Sequence, residues 1–211
     1  MKTPFELGYR MPAEWDRHEA TWMGWPHNRS DWPGKFQTVP WVFGEMVRKI
    51  APGEIVRLHV KDASHQKSAR RVLEKTGTDL ERIEFLRGAT DRGWTRDFGP
   101  IFVKSAKGVA ALDYQFNAWA KYDDWRLDAR ASARAARAIG VRQFPVNLRK
   151  RKLVLEGGAI DVNGRGTLLT TEECLLQQDV QVRNPGVSRE DMDIVFRDDG
   201  GTPGDAVRVA E

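Results

Sequence analysis

The chain has 211 residues, of which 40% are hydrophobic and 30% are charged, and its formal net charge is +4. This length predicts a single domain over residues 1–211, large enough to bury roughly 70% of the surface that its unfolded form exposes. No apolar run reaches the length of a membrane span, and the single cysteine, Cys174, cannot form an internal disulfide. We therefore expect a cytoplasmic protein without a membrane partner.

The basic excess raises the question of nucleic-acid binding. Its densest cluster, at residues 149–152, lies between Pro145 and an apolar segment, so we expect a solvated loop that enters a strand. No zinc-binding spacing, RNP-like segment or P-loop accompanies the cluster. We therefore expect no nucleic-acid partner.

The first half of the chain predicts a loop segment and then alternating helices and strands. The first forty residues are rich in Trp, Pro, Asn and Asp, which favours an ordered loop over a regular helix. Proline and glycine bracket a helix over 39–51, and a strand follows over 54–60. An amphipathic helix is predicted over 64–75 and a short strand over 83–86.

The second half continues the alternation of short hairpins and helices. The predicted elements are a hairpin of 101–103 with 109–112, a helix over 125–139, strands over 153–155, 159–162 and 166–169, and a helix over 189–198 after a capping box of Ser188 and Asp191. This repetition predicts an α/β fold built from similar modules. Residues 198–211 lack a core pattern, and we expect a disordered tail or the cut end of an incomplete module.

Two segments, 94–100 and 155–158, place acidic side chains at tight backbone positions. Asp97 comes shortly before Gly99 and Pro100, so we expect it at a strand end where the backbone turns sharply. Glu156 precedes a glycine pair that would allow the close approach of a ligand. Two carboxylates can hold a planar guanidinium by paired, charge-assisted hydrogen bonds. The pattern therefore predicts half of a guanidinium-binding site.

Each of these residue types also has a structural interpretation. Asp97 could cap a turn, and Glu156 could pair with a nearby arginine on the surface. The four histidines all precede Asp97 in the chain, and we expect each to be structural or to face solvent: His18, His27, His59 and His65.

Several short motifs are spread along most of the chain. They are MPAEW at 11–15, HEATW at 18–22, WPH at 25–27, WTRDFGP at 94–100, FNAW at 116–119, LEGG at 155–158, GTLLTTEECLL at 166–176 and RNP at 183–185. Together they resemble the agmatine deiminase family, which is related to bacterial-type peptidylarginine deiminases. The resemblance extends almost continuously from about residue 8 to residue 196.

The resemblance implies a fold. The family has the pentein fold, a pseudo-fivefold α/β propeller in which five hairpin-and-helix modules surround the active site. This chain would form roughly the first half of that ring. The sequence leaves open whether the protein forms a homo-oligomer.

The resemblance also implies an activity, with no metal and no organic cofactor. The guanidinium of agmatine would be hydrolysed to give N-carbamoylputrescine and ammonia, a step toward putrescine in polyamine biosynthesis. A cysteine thiolate would attack the guanidinium carbon, ammonia would leave, and water would resolve the covalent intermediate. By motif match, Asp97 would grip guanidinium nitrogens, and Glu156 would bind the substrate or move a proton. Trp94 would form a wall of the pocket and add a cation–π contact.

The sequence departs from the family pattern in three places. It contains no Gly-His-x-Asp motif, which supplies the family's acid/base histidine and a second aspartate. Cys174 matches a position that does not carry the chemistry, and the charge of the adjacent Glu173 disfavours a thiolate there. Ala120 and Lys121 stand where the family has glycines. We therefore expect the chain to be inactive alone.

Two functional hypotheses remain, and a third is set aside. The chain is either a truncated agmatine deiminase or a non-catalytic remnant that binds guanidino compounds or assembles with a partner. A nucleic-acid-binding domain would rest on net charge alone. The sequence does not decide between agmatine and a longer substrate such as peptidyl-arginine.

Overall fold

The computed structural model describes residues 2–198 and the backbone of Val207–Ala210. Within these residues the strands are β1 (Ala20–Gly24), β2 (Ile55–Val60), β3 (Ile83–Arg87), β4 (Ile101–Ser105), β5 (Gly108–Asp113), β6 (Arg142–Pro145), β7 (Asn147–Leu148), β8 (Arg151–Lys152), β9 (Asp161–Val162), β10 (Leu168–Thr171) and β11 (Val207–Ala210). The α-helices are α1 (Val39–Ile50), α2 (Ala63–Lys75), α3 (Thr95–Phe98), α4 (Ala131–Ala138), α5 (Glu172–Leu176) and α6 (Arg189–Asp198). The chain is therefore mixed α/β.

The chain divides into two compact units, each built from more than one segment. The first unit contains residues 1–16, 96–124 and 132–211, and the second contains residues 17–95 and 125–131. This division does not test the prediction that residues 1–211 form one domain, which stays a prediction.

The second unit is a parallel sheet with the strand order β1-β2-β3, covered by α1 and α2. Parallel strands have both faces covered, and β2 accordingly buries Val56, Leu58 and Val60, each at most 1% exposed, on one face and Arg57 and His59, 9% and 4% exposed, on the other. The sequence missed β1, because the Trp and Pro residues around it favour a loop. β1 pairs along its whole length with β2, from Ala20 opposite Ile55 to Gly24 opposite His59.

In the part of the first unit that the structure describes, three small sheets surround one apolar core. Their strand orders are β4-β5-β6, β7-β8 and β11-β10-β9. The core includes Val103 and Leu112 from the first sheet, Leu168 from β10, and Phe196 from α6. The 3₁₀ turn that follows Leu155 leaves the backbone of 157–159 outside these sheets.

Most predicted helices are confirmed, and one is shorter than predicted. Helices α1, α2 and α6 begin and end within one residue of the predicted bounds, and Asp191 N–H donates to Ser188 Oγ at 3.2 Å as the capping box requires. The helix predicted over 125–139 is wrong at its start. Asp128 is fully buried and accepts the Asp91 backbone N–H at 2.7 Å, so it starts a 3₁₀ turn before α4.

Two other predictions differ from the structure in detail. The basic cluster is a tight β7-β8 hairpin whose turn residues Arg149 and Lys150 have φ of +48° and +69°, and Arg149 pairs with Asp191 at 2.8 Å. The predicted tail, 198–211, lies outside the described residues except for Asp198 and the backbone of β11. The sequence predicted no complete strand there, whereas β11 pairs in parallel with β10. Among the described helices, none has the length and apolar character needed to cross a membrane.

Candidate functional site

Asp97 and Glu156 are brought together in the first unit. Asp97 lies in the one-turn helix α3 and is half-buried, so its predicted position at a strand end is wrong. Glu156 is the residue before the 3₁₀ turn Gly157–Ala159 and is fully buried. The two side chains are close enough for the charge of Glu156 to act on Asp97.

The glycine pair after Glu156 makes room for residues of this chain. A Cβ built on Gly158 would lie 2.5 Å from Oδ1 of Asp97. A Cβ built on Gly157 would lie 2.6 Å from the carbonyl oxygen of Arg96. A larger residue at Gly157 would require the backbone to shift, and one at Gly158 would require the Asp97 carboxylate or the backbone to move. Arg96 and Asp97 therefore approach the glycine pair closely, and the close approach of a ligand stays a prediction.

Glu156 is held by a buried arginine that the sequence analysis did not assign to the site. Arg183 Nε donates to Glu156 Oε1 at 3.1 Å and to Oε2 at 2.9 Å. The two side chains are 7% and 1% exposed, so this is an interior ion pair and not the surface pair considered above. The backbone N–H of Trp119 also donates to Glu156. The RNP motif at 183–185 was the available signal for this arginine.

Both carboxyl groups are harder to ionise than ordinary ones. Burial raises the pKa of Asp97 to about 6, and the negative charge of Glu156 adds to this shift. Burial also raises the pKa of Glu156, while the charge and hydrogen bonds of Arg183 oppose that shift. A cation placed beside Asp97 would favour its ionised form, so the site is suited to a positively charged ligand.

Trp94 lies in the second unit, where its ring is already in contact with a cation of the chain. The guanidinium of Arg92 lies 4.9 Å from the centre of the Trp94 ring. Arg92 also forms an ion pair with Asp31, and the two side chains are 10% and 4% exposed. Trp94 therefore makes a cation–π contact within the protein, and the predicted contact between Trp94 and a substrate stays a prediction.

The histidines all belong to the second unit, and Cys174 belongs to the first. His27 contacts the carbonyl oxygens of Trp25 and Thr90, which is a structural role. Cys174 lies on α5, half-buried against the core of the first unit. Its backbone N–H donates to Thr171 Oγ1 at 3.2 Å, which caps this short helix.

The described residues contain no group of three His, Cys, Asp or Glu placed to hold a metal ion. The second unit has a cavity of about 610 Å³ that contains none of the predicted site residues. It is lined by Arg17, His18, Glu19, Gly53, Glu54, Ile55 and Arg82. Of the predicted site residues, the structure brings Asp97 and Glu156 together in the first unit, and their role toward a ligand stays a prediction.

The sequence model described as Porphyromonas-type peptidyl-arginine deiminase matches residues 10–202. The chain belongs to this family.

Named relatives agree with this assignment. The chain is 36% identical over 202 residues to an agmatine deiminase of Ectopseudomonas mendocina and 38% identical to one of Stutzerimonas stutzeri, in each case covering 93% of this chain and 51% of the relative. A solved agmatine deiminase of Enterococcus faecalis has a TM-score of 0.84 at 28% identity, covering 98% of this chain and 54% of that one. The chain thus spans about half the length of the curated relatives that it matches.

Proposed function

We propose that this chain is part of an agmatine deiminase-like hydrolase and that Asp97 and Glu156 hold the guanidinium of agmatine. The observation that carries the proposal is that these two carboxylates lie close together in the first unit, with Gly158 next to the carboxylate of Asp97. A solved structure of a C. jejuni agmatine deiminase variant with substrate bound supports the proposal. It has a TM-score of 0.77 at 25% identity, and the match covers 94% of this chain and 55% of that one.

The proposed chemistry assigns separate tasks to these residues. Resonance makes the guanidinium carbon a poor electrophile, so the carboxylates must hold the cation in line with a nucleophile and stabilise its charge. A thiolate attacks that carbon, the C–N bond to the departing nitrogen breaks, and ammonia leaves. Water then hydrolyses the intermediate to N-carbamoylputrescine and regenerates the thiolate. We assign guanidinium binding to Asp97 and binding or proton transfer to Glu156.

We further propose that the nucleophile and the acid/base histidine come from outside these 211 residues and that the chain alone is inactive. The sequence has one cysteine and no Gly-His-x-Asp motif. Cys174 is half-buried, and its backbone N–H donates to the Thr171 side chain that caps a short helix, which suits a structural role. The proposal includes a partial pentein propeller, a cytoplasmic location, and no nucleic-acid or membrane partner.

A second candidate is a non-catalytic protein that binds guanidino compounds. The observation in its favour is that the carboxylate pair is fully formed within a chain whose single thiol is not part of it. The two candidates differ in turnover and share the same binding step.

Calorimetry on the 211-residue chain tests that binding step. Agmatine should bind, whereas putrescine, which keeps an ammonium group but lacks the guanidinium, should bind at least about tenfold more weakly. Asp97→Asn should remove the preference. Equal affinity for the two ligands would reject the guanidinium site.

A turnover assay for N-carbamoylputrescine then separates the two candidates. The chain alone should be inactive, and coexpression with a segment that supplies the missing motifs should give activity under the first candidate. Turnover by the chain alone that survives Cys174→Ser would contradict the proposed mechanism.

A further inference from the structure

The interior ion pair of Arg183 and Glu156 does more than neutralise charge. Both carboxylate oxygens of Glu156 accept a hydrogen bond from the same Nε atom. The backbone N–H of Trp119 also donates to this carboxylate, which leaves fewer of its lone pairs for a ligand. Glu156 is also fully buried, whereas Asp97 is half-buried. Asp97 is therefore the more accessible of the two carboxylates and has the greater capacity left for a ligand.

The arginine is itself fixed by its surroundings. The next residue, Asn184, forms two hydrogen bonds with the backbone of Val154, from Val154 N–H at 2.9 Å and to Val154 O at 2.8 Å. The carbonyl oxygen of Arg183 accepts a hydrogen bond from Asn117 Nδ2 at 3.5 Å. The guanidinium also donates to Gln181 O at 3.4 Å. These contacts connect the Arg183 segment to the segment that leads into Glu156.

Removing one partner of a buried ion pair leaves an uncompensated charge, which favours the uncharged form of the remaining group. Without Arg183, the pKa of the buried Glu156 would rise further, because the charge and hydrogen bonds of Arg183 oppose the effect of burial. Arg183 therefore favours a charged neighbour for Asp97.

We propose that Arg183 is a positioning residue of the guanidinium site, which holds Glu156 as an oriented anion and leaves Asp97 as the carboxylate with the greater capacity for the ligand. This inference rests on the proposed function for the identity of the ligand. The ion pair itself does not depend on it.

Carboxyl ¹³C NMR of the 211-residue chain tests the positioning role directly. The titration midpoint of Glu156 should lie at a higher pH in Arg183→Met than in the wild-type chain. Arg183→Lys should restore the lower midpoint, because lysine keeps the charge although it loses the planar fork. An unchanged midpoint of Glu156 in Arg183→Met would overturn the proposal.

The matched control is Arg149→Met. Arg149 also contacts both oxygens of a carboxylate, that of Asp191 at 2.8 and 2.9 Å, but its side chain is 69% exposed. Agmatine affinity at pH 7.5 should fall at least about tenfold in Arg183→Met and should be unchanged in Arg149→Met. If the wild-type chain binds no agmatine, the proposed function fails, while the titration of Glu156 still decides the role of Arg183.

A charge-neutral double variant covers the case in which Arg183→Met does not fold. Glu156→Gln with Arg183→Met removes both charges and should be more stable than either single variant. In the double variant the titration midpoint of Asp97 should fall, because the repulsion from Glu156 outweighs the attraction to Arg183. An unchanged midpoint would mean that the pair exerts no net charge effect on Asp97 and would overturn the proposal.

Discussion

The carboxylate of Asp97 occupies the space that a side chain on Gly158 would need. A Cβ at Gly158 would lie 2.5 Å from Asp97 Oδ1, well inside van der Waals contact. The two residues are distant in sequence, so the geometry of the acidic pair depends on a glycine rather than on the acids alone. This dependence gives the first prediction.

Gly158→Ala should destabilise the chain by about 1–3 kcal/mol and displace Asp97, since the added methyl must push the carboxylate or the backbone aside. Urea unfolding measures the stability, and agmatine binding should be lost in parallel. Gly53→Ala is the matched control, because its Cβ would lie 3.6 Å from Ile50 O, an ordinary contact. Similar effects of both substitutions would contradict the proposed packing.

Asp97→Asn should stabilise the chain above pH 6. The pKa of Asp97 is raised from 3.8 to about 6 in the folded state, so between these values the folded chain binds a proton that the unfolded chain does not. Stability is therefore lost as the pH rises through this window. The asparagine side chain carries no titrating proton, so the variant does not lose stability in this window. Its free energy of unfolding should equal that of the wild type below pH 3.8 and exceed it by on the order of 1–3 kcal/mol above pH 6.

Urea titrations at several pH values measure this difference. Asp161→Asn is the control, because the Asp161 side chain is 74% exposed and its substitution should change stability by less than about 0.5 kcal/mol at every pH. A constant difference between Asp97→Asn and the wild type would exclude the raised pKa.

Agmatine affinity should depend on the same proton. A cation binds the ionised form of Asp97, so below a pH of about 6 affinity should fall by up to about tenfold per pH unit. Calorimetry between pH 5 and pH 8 provides the measurement. A flat affinity over this range would show that Asp97 does not contact the cation.

Ala120→Gly should stabilise the chain by about 1 kcal/mol. Ala120 has a φ of +54°, a left-handed conformation that costs an L residue roughly 1–2 kcal/mol and glycine little. This is the position where the sequence departs from the glycines of the family that it resembles. Ala133→Gly within α4 is the control and should destabilise by about 1 kcal/mol. Thermal unfolding compares the two variants, and a loss of stability in both would exclude the strain.

Asp128→Ala should be among the most damaging substitutions in the second unit. Asp128 is fully buried and accepts the backbone N–H groups of Asp91, at 2.7 Å, and of Arg92, at 3.2 and 3.3 Å. Leaving these donors unsatisfied should cost about 3 kcal/mol. Asp79→Ala removes an exposed acceptor of one N–H and should cost about 1 kcal/mol or less. Equal losses in urea unfolding would contradict the role of Asp128.

The parts of the fold that the sequence predicts are those with local signals. Helices α1 and α6 have proline or a capping box at their first turn, and these signals act within a few residues. Strand β1 has no such signal, since its pairing with β2 joins residues more than thirty positions apart. The position of Asp97 in α3 was missed because the following Gly99 and Pro100 indicated a strand end.

The sequence predicted the site residues that belong to short motifs, but not the tertiary contacts that those residues make. Asp97 and Glu156 could be selected because two carboxylates can hold a guanidinium and both lie in motifs of the family that the chain resembles. The RNP motif pointed to Arg183 but not to its partner, because an arginine in a loop is ordinarily exposed and only tertiary packing buries it beside Glu156. Likewise, the glycine pair indicates a close contact but does not identify what makes it.

The division of the two units along the chain has a consequence for synthesis. Most of the second unit is one stretch, 17–95, but its buried Asp128 comes from the later segment 125–131. A growing chain that has reached residue 95 therefore has the sheet β1-β2-β3 but lacks the acceptor for the N–H groups of Asp91 and Arg92. The second unit can be completed only after part of the first has been synthesised. A fragment that ends at residue 95 would thus be less stable than its share of the core suggests.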